Sequence, residues 1–164
     1  MKTIFEDLFE RSPVAMLLVK SNGQIELINK HAENLFQYDR SELVGAKIEM
    51  LVPESVRGRH PELVREYIIS PLPRQMGKGR NLFGVRKDNS QFPVEVGLNP
   101  IENEGQLYIL SSVIDITDRL RAEERFRAAV EAAPNGMLMI DSNRKNKPAH
   151  IYKIHVCRFL FRFK

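Results

Sequence analysis

The side chains with the widest chemical range in this 164-residue chain are its histidines and its single cysteine. His60 lies in the run RHPELVREYI, which has helical spacing. An imidazole held by a helix has a fixed direction and is a good ligand for iron. His31 opens another helix-like run, but no kinase phosphoacceptor context or ATP-binding segment follows it. Met76-Gly77-Lys78-Gly79-Arg80 has two glycines without the strand and helix that a phosphate-cradling loop needs around it. His150, His155 and Cys157 are five and two residues apart in a basic segment, a spacing that reads as accidental rather than as a metal site. Cys157 alone excludes an internal disulfide and fits a reducing, cytoplasmic compartment. These residues support no enzyme chemistry, and the chain is expected to act as a non-catalytic module.

Composition sets the frame for these side chains. Hydrophobic residues make up 43% and charged residues 28%, the balance of one globular domain with its own core. No run of about 20 apolar residues is present, so no membrane span is expected. Glu6, Asp7 and Glu10 interrupt the apolar N-terminus and argue against a signal peptide. The net charge of +4 comes from the tail: seven Lys or Arg follow Asp141 with no acid, and 18 basic against 21 acidic residues remain. Nucleic-acid contact by the folded part is therefore not expected.

The elements that must position the candidate residues follow from periodicity. Ile4, Phe5, Leu8 and Phe9 form a helical stripe over residues 3–11. VAMLLVK (14–20) and QIELIN (24–29) flank Asn22-Gly23 as a hairpin. Asn29 caps a helix that buries Ala32, Leu35 and Phe36. Asp39 and Glu42 have capping-box spacing before a short helix that ends at Gly45. Residues 55–69 read as one longer helix with Pro61 near its first turn, and 70–79 as a loop broken by Pro71 and Pro73. Strands are expected over 80–87, 91–101 and 107–117. Phe92, Val94, Val96 and Leu98 share one face of the second, and the Glu/Arg-rich helix from Thr117 or Asp118 is expected to present a solvated face. Tight turns make the sheet antiparallel, and helices grouped between the strands must cover one face, which is an α+β domain.

A shift of 121 residues brings the start back: Phe5 falls on Phe126, Phe9 on Val130, Pro13 on Pro134, and MLLVKSN (16–22) on MLMIDSN (137–143). The match stops after Asn143. The expected organisation is a helix over 1–12, a domain over 13–117, a connector helix over 118–133, the start of a second copy over 134–143 and a basic tail over 144–164. The break is read as a frame disruption or truncation within a longer gene. The alternatives are a basic amphipathic segment for a membrane or acidic partner, and a fragment without function.

INKHAENLFQYDRSELVG (28–45), FGVRKDNSQFPVEVGLNPI (83–101) and SSVIDITDRLRAEERF (111–126) together resemble the PAS (S-box) family, in the order and spacing of its motifs. The resemblance covers residues 5–126. Gln37 and Asn89 stand where that family usually has Gly. The resemblance implies a five-stranded antiparallel sheet with helices on one face around a small pocket, and a C-terminal connecting helix. It implies a signal-sensing and dimerisation module upstream of a histidine kinase, nucleotide cyclase or transcription factor. A homodimer through the N-terminal and connector helices and a downstream signalling domain are the partners implied.

Members of the family that sense oxygen through haem, of the FixL type, are similar around His60. There a helix histidine holds the iron, an arginine at the spacing of Arg80 can bond oxygen, and distal apolar residues fall at Val96 and Leu98. The resemblance equally fits haem-free members, in which the histidine is a cap or surface hydrogen-bond partner and the pocket is empty or takes another small ligand. Glu66 and Arg74 do not clearly reproduce propionate contacts. A flavin, or a thioester-linked chromophore, is not expected, because Cys157 lies outside the domain.

Overall fold

Runs in which every second side chain is apolar build the sheet. The computed structural model describes residues 4–77 and 82–132. Its strands are β1 (Ala15–Lys20), β2 (Ile25–Ile28), β3 (Arg74–Met76), β4 (Phe83–Val85), β5 (Gln91–Asn103) and β6 (Gln106–Asp115). All pairings are antiparallel, in the order β2-β1-β6-β5-β3, with β4 also on β5. β1 and β6 are central, and their inward residues Ala15, Leu17, Ile109 and Val113 are buried.

Two expectations need correction. The segment expected as a loop over 70–79 carries β3, so among the described residues six strand pieces stand where five strands were expected: Arg74–Met76 pairs with Val96–Leu98 and Phe83–Val85 with Gln91–Pro93 along the same edge. Two short pieces thus share one strand's place. Three-residue strands are too short to show a period, and prolines directly before β3 made the segment read as a loop. Gly77 follows β3 at φ +98°, where an added Cβ would meet the Val94 carbonyl at 2.7 Å. The helix expected over 55–69 is split into α4 (Glu54–Arg57) and α5 (His60–Ile69). Pro61 offers no amide to the Arg57 carbonyl and its ring crowds that oxygen, so one helix cannot run through. Gly58 lowers propensity at the same place.

The remaining helices are α1 (Ile4–Glu10), α2 (Lys30–Phe36), α3 (Arg40–Leu43) and α6 (Thr117–Ala132), with a helical turn at Ile48–Leu51. α2, α3 and that turn supply Ala32, Phe36, Leu43 and Leu51 to a core shared with Leu17, Ile28, Phe92 and Val94. Each of these side chains larger than alanine contributes roughly 1.5–3 kcal/mol by leaving water. Phe36 meets Phe92 edge to face with ring centres 5.7 Å apart. The residue beside them is Gly84, where a Cβ would lie 2.9 Å from the Phe92 ring.

Gln37 and Asn89, the two departures from glycine, both adopt the left-handed conformation, at φ 63° and 64°. Glu42 accepts the Asp39 amide at 3.0 Å, as the capping spacing requires. The chain divides after Thr117 into two units. The second contains α6 from Asp118 onward, with exposed ion pairs between Arg121 and Asp118 and between Arg119 and Glu123. Arg80, the second copy over 134–143 and the tail with His150, His155 and Cys157 lie outside the described residues. Among the described residues, no helix is long and apolar enough to cross a membrane.

Candidate functional site

His60 opens α5 and is only partly exposed. Its Nδ1 lies 3.1 Å from Glu49 Oε1, on the turn Ile48–Leu51. With the carboxylate accepting from Nδ1–H, the Nε2 lone pair is left free, which is the arrangement that orients a metal-binding imidazole. The donor chemistry of His60 therefore fits an axial ligand. Beside the pair is a hollow of about 290 Å³ lined by Asn22, Gly23, Lys47, Glu49, Pro61 and Arg65.

Val96 and Leu98 follow Phe92 and Val94 on the inner face of β5, and Val96 packs against the core. The structure thus pairs His60 with Glu49 and places Val96 and Leu98 on the sheet floor. Of the α5 side chains, Tyr67 alone is buried. The Tyr67 hydroxyl donates to the Leu72 carbonyl at 2.9 Å, and the Arg74 guanidinium stands 4.4 Å over its ring. Burial pushes the phenol pKa up, and the nearby Arg74 charge offsets part of that rise.

The densest polar arrangement lies where the sheet runs into α6. Arg86, just after β4, lays its guanidinium 3.8 Å over the Phe92 ring. Its Nε donates to the Leu35 carbonyl at 3.1 Å and its Nη2 to Asp115 Oδ2 at 2.8 Å. Asp115 Oδ1 accepts the Thr117 amide at 2.8 Å. One side chain therefore touches α2, the core aromatic pair and the residue that holds the first amide of α6.

A second polar centre fixes α1. Asn29 is fully buried. Its Oδ1 accepts the Met16 and Ala32 amides, and its Nδ2 donates to the Phe9 and Val14 carbonyls, at 2.8–3.1 Å. The cap expected from sequence is thus also the latch between α1, β1 and α2. Arg40 adds an ion pair to Glu10 at 2.7 Å. Phe9 is buried against the domain, while Ile4 and Leu8 are 82% and 70% exposed.

Sequence reasoning passed over Glu49, Arg86 and Asp115 as chemical residues. Asp115 carried a signal, since Asp two residues before Thr at a helix start can accept the Thr amide. The partners of Glu49 and Arg86 are distant in sequence and left no local mark.

A family model described as PAS domain matches residues 13–118, and a second PAS-domain model matches 124–151, past the point at Asn143 where the internal match stops. Sensor protein FixL of Bradyrhizobium diazoefficiens is 28% identical over 126 residues, covering 77% of this chain and 25% of that protein. Oxygen sensor protein DosP of Escherichia coli is 29% identical over 144 residues, covering 86% of this chain and 18% of that protein. The chain thus spans a quarter or less of the length of these curated relatives. Among solved structures, the PAS domain of an HTR-like protein from Haloarcula marismortui is 26% identical with a TM-score of 0.57, over 68% of this chain and 88% of that one. The PAS domain of nitrogen regulation protein NR(II) from Vibrio parahaemolyticus shares the fold, at 19% identity and a TM-score of 0.56, over 70% of this chain and all of that one.

Proposed function

Because this chain belongs to the PAS domain family, we propose that it is the signal-sensing and dimerisation module of a cytoplasmic, multi-domain signalling protein of the sensor-kinase, cyclase or transcriptional-regulator kind. Catalysis would belong to a separate output domain. The observation that carries the reading is the Arg86–Asp115–Thr117 chain of bonds. It gives a change at the inner face, felt through Phe92, a direct route to the first amide of α6. Such coupling works when two packings of similar energy are each favoured by a different ligand state. α1, latched by Asn29 with Ile4 and Leu8 outward, supplies an apolar face for a second copy. The test is a graft of residues 1–132 onto the catalytic part of a sensor kinase. Two glycines inserted after Arg121 should uncouple kinase output from the graft's state, and unchanged output would overturn the reading.

A second reading is supported by the His60–Glu49 bond: a haem-based gas sensor in which His60 would hold the iron and Val96 and Leu98 would line the apolar side, with Arg80, outside the described residues, as the gas-side residue that the resemblance implies. Haem would supply the gas-binding iron, and Glu49 would fix the imidazole. Expression with haem supplied should give a Soret band that is lost in His60→Ala. Protein absorbance alone would remove this reading.

A further inference from the structure

The last turns of α6 repeat α1, and they do so selectively. At the offset of 121 residues, Phe9 falls on Val130 and Glu10 on Glu131, while Phe5 and Phe126 are identical. Phe9 and Glu10 are the residues that hold α1 to the domain. Phe9 is 7% exposed, its carbonyl accepts from Asn29 Nδ2 at 3.1 Å, and Glu10 pairs with Arg40 at 2.7 Å. The positions that α1 turns to solvent are not kept. Ile4, Leu8 and Arg11 are exposed, and they fall on Arg125, Ala129 and Ala132. Drift on a free surface helix would not sort its changes by face. The retained residues are those that a packed helix needs.

Two further observations set these turns apart from the first domain. The second PAS-domain match begins at residue 124, inside α6. The compact unit of the sheet ends at Thr117, so α6 from Asp118 onward lies outside it. Phe126 and Val130, four residues apart, share one helix face, and Phe126 is 53% exposed.

We infer that the second half of α6 is the entry helix of a second PAS module in the same protein, so that the first partner this domain meets is another module of its own family rather than an output domain. Val130 takes the buried place of Phe9 in that module, and Glu131 takes the place of Glu10 at its rim. One helix then has its first amide held by Asp115 and its last turns seated in the next module.

The test uses the α1 seat of the full chain. Residues 4–12 are replaced by a copy of residues 125–133, which sets Val130 in the place of Phe9 and Glu131 in that of Glu10. Hydrogen exchange over the transplanted helix should run at least about tenfold slower than in the same transplant with Phe126→Ala and Val130→Ala in the copied segment, which keeps helix propensity and removes the seated side chains. Arg40→Met in the transplant should speed that exchange about two- to fivefold, the effect of one exposed ion pair. Phe9→Val alone, with the native α1, should keep the Ile4–Glu10 amides protected. A transplant that exchanges like its alanine control or unfolds the chain overturns the inference, as do an absent Arg40 effect and loss of α1 protection in Phe9→Val. Protection of Phe126–Glu131 in the unmodified chain that rises with protein concentration assigns that face to a second copy and also overturns it. Kinase output of the graft proposed above does not depend on which helix fills the α1 seat, so the two readings fail separately.

Discussion

Arg86 Nη2 donates to Asp115 Oδ2 at 2.8 Å, and the other oxygen of the same carboxylate accepts the amide of Thr117, the first residue of α6. The two side chains are 21% and 27% exposed, so this is neither an open surface pair nor a buried one. Both Asp115 oxygens are committed, and a shift of Arg86 redistributes charge on the group that caps the exit.

Arg86→Met should keep much of the stacking on Phe92 and remove the charged bonds. After allowance for solvent screening, the expected loss is about 1–2 kcal/mol in urea denaturation. Asp115→Asn should cost less than Asp115→Ala, because an amide oxygen can still accept from Thr117. Equal losses for the two Asp115 variants would show that the capping bond contributes nothing.

Asn29→Ala leaves two buried carbonyls and two amides without their side-chain partner, and should cost at least ~3 kcal/mol. The loss should be accompanied by faster exchange over Ile4–Glu10, since Phe9 is tied to Asn29. Protected α1 amides in that variant would mean that Phe9 packing and the Arg40–Glu10 pair hold α1 without the latch.

Gln37 holds φ 63° at the end of α2. A left-handed non-glycine residue costs roughly 1–2 kcal/mol. Gln37→Gly should therefore raise the unfolding free energy, by up to about 1 kcal/mol once the added freedom of the unfolded chain is subtracted. A lowered melting temperature would show that Gln37 makes compensating contacts.

Lys87 bonds the Glu42 carboxylate at 2.7 Å, and this bond, with the Asp39 amide, holds the Glu42 pKa below the usual carboxylate range. A depressed folded pKa gives stability that is present above the unfolded value and lost as pH falls through the folded one. The same pair raises Lys87, and that contribution is present below the unfolded lysine value and lost as alkali deprotonates the amine. Glu42→Gln should flatten the acid limb of a stability-against-pH curve below about pH 4. An unchanged acid limb would show that the pair has no linkage to folding.

Much of this was legible in the sequence. Two-residue alternation located β5, the Asn22-Gly23 turn between two apolar runs located β1 and β2, and the Asn29 and Asp39 caps stood at the helix starts where their side-chain chemistry required them. The six-strand edge was not legible, since β3 and β4 each take their conformation from β5 rather than from their own three residues. The split at Pro61 was legible only in part: the proline was placed in a first turn, but of a helix that began too early. Of the candidate site, His60 was visible as a residue and its partner Glu49 was not, because a side-chain pair eleven positions apart leaves no periodic trace.

Hydrogen exchange across Thr117–Arg125 in the wild type and in Arg86→Met tests the coupling most directly. The account predicts about tenfold faster exchange over these first turns of α6, with Ile109–Val113 of β6 still protected. Identical exchange in the two proteins, with Arg86→Met folded, would contradict it.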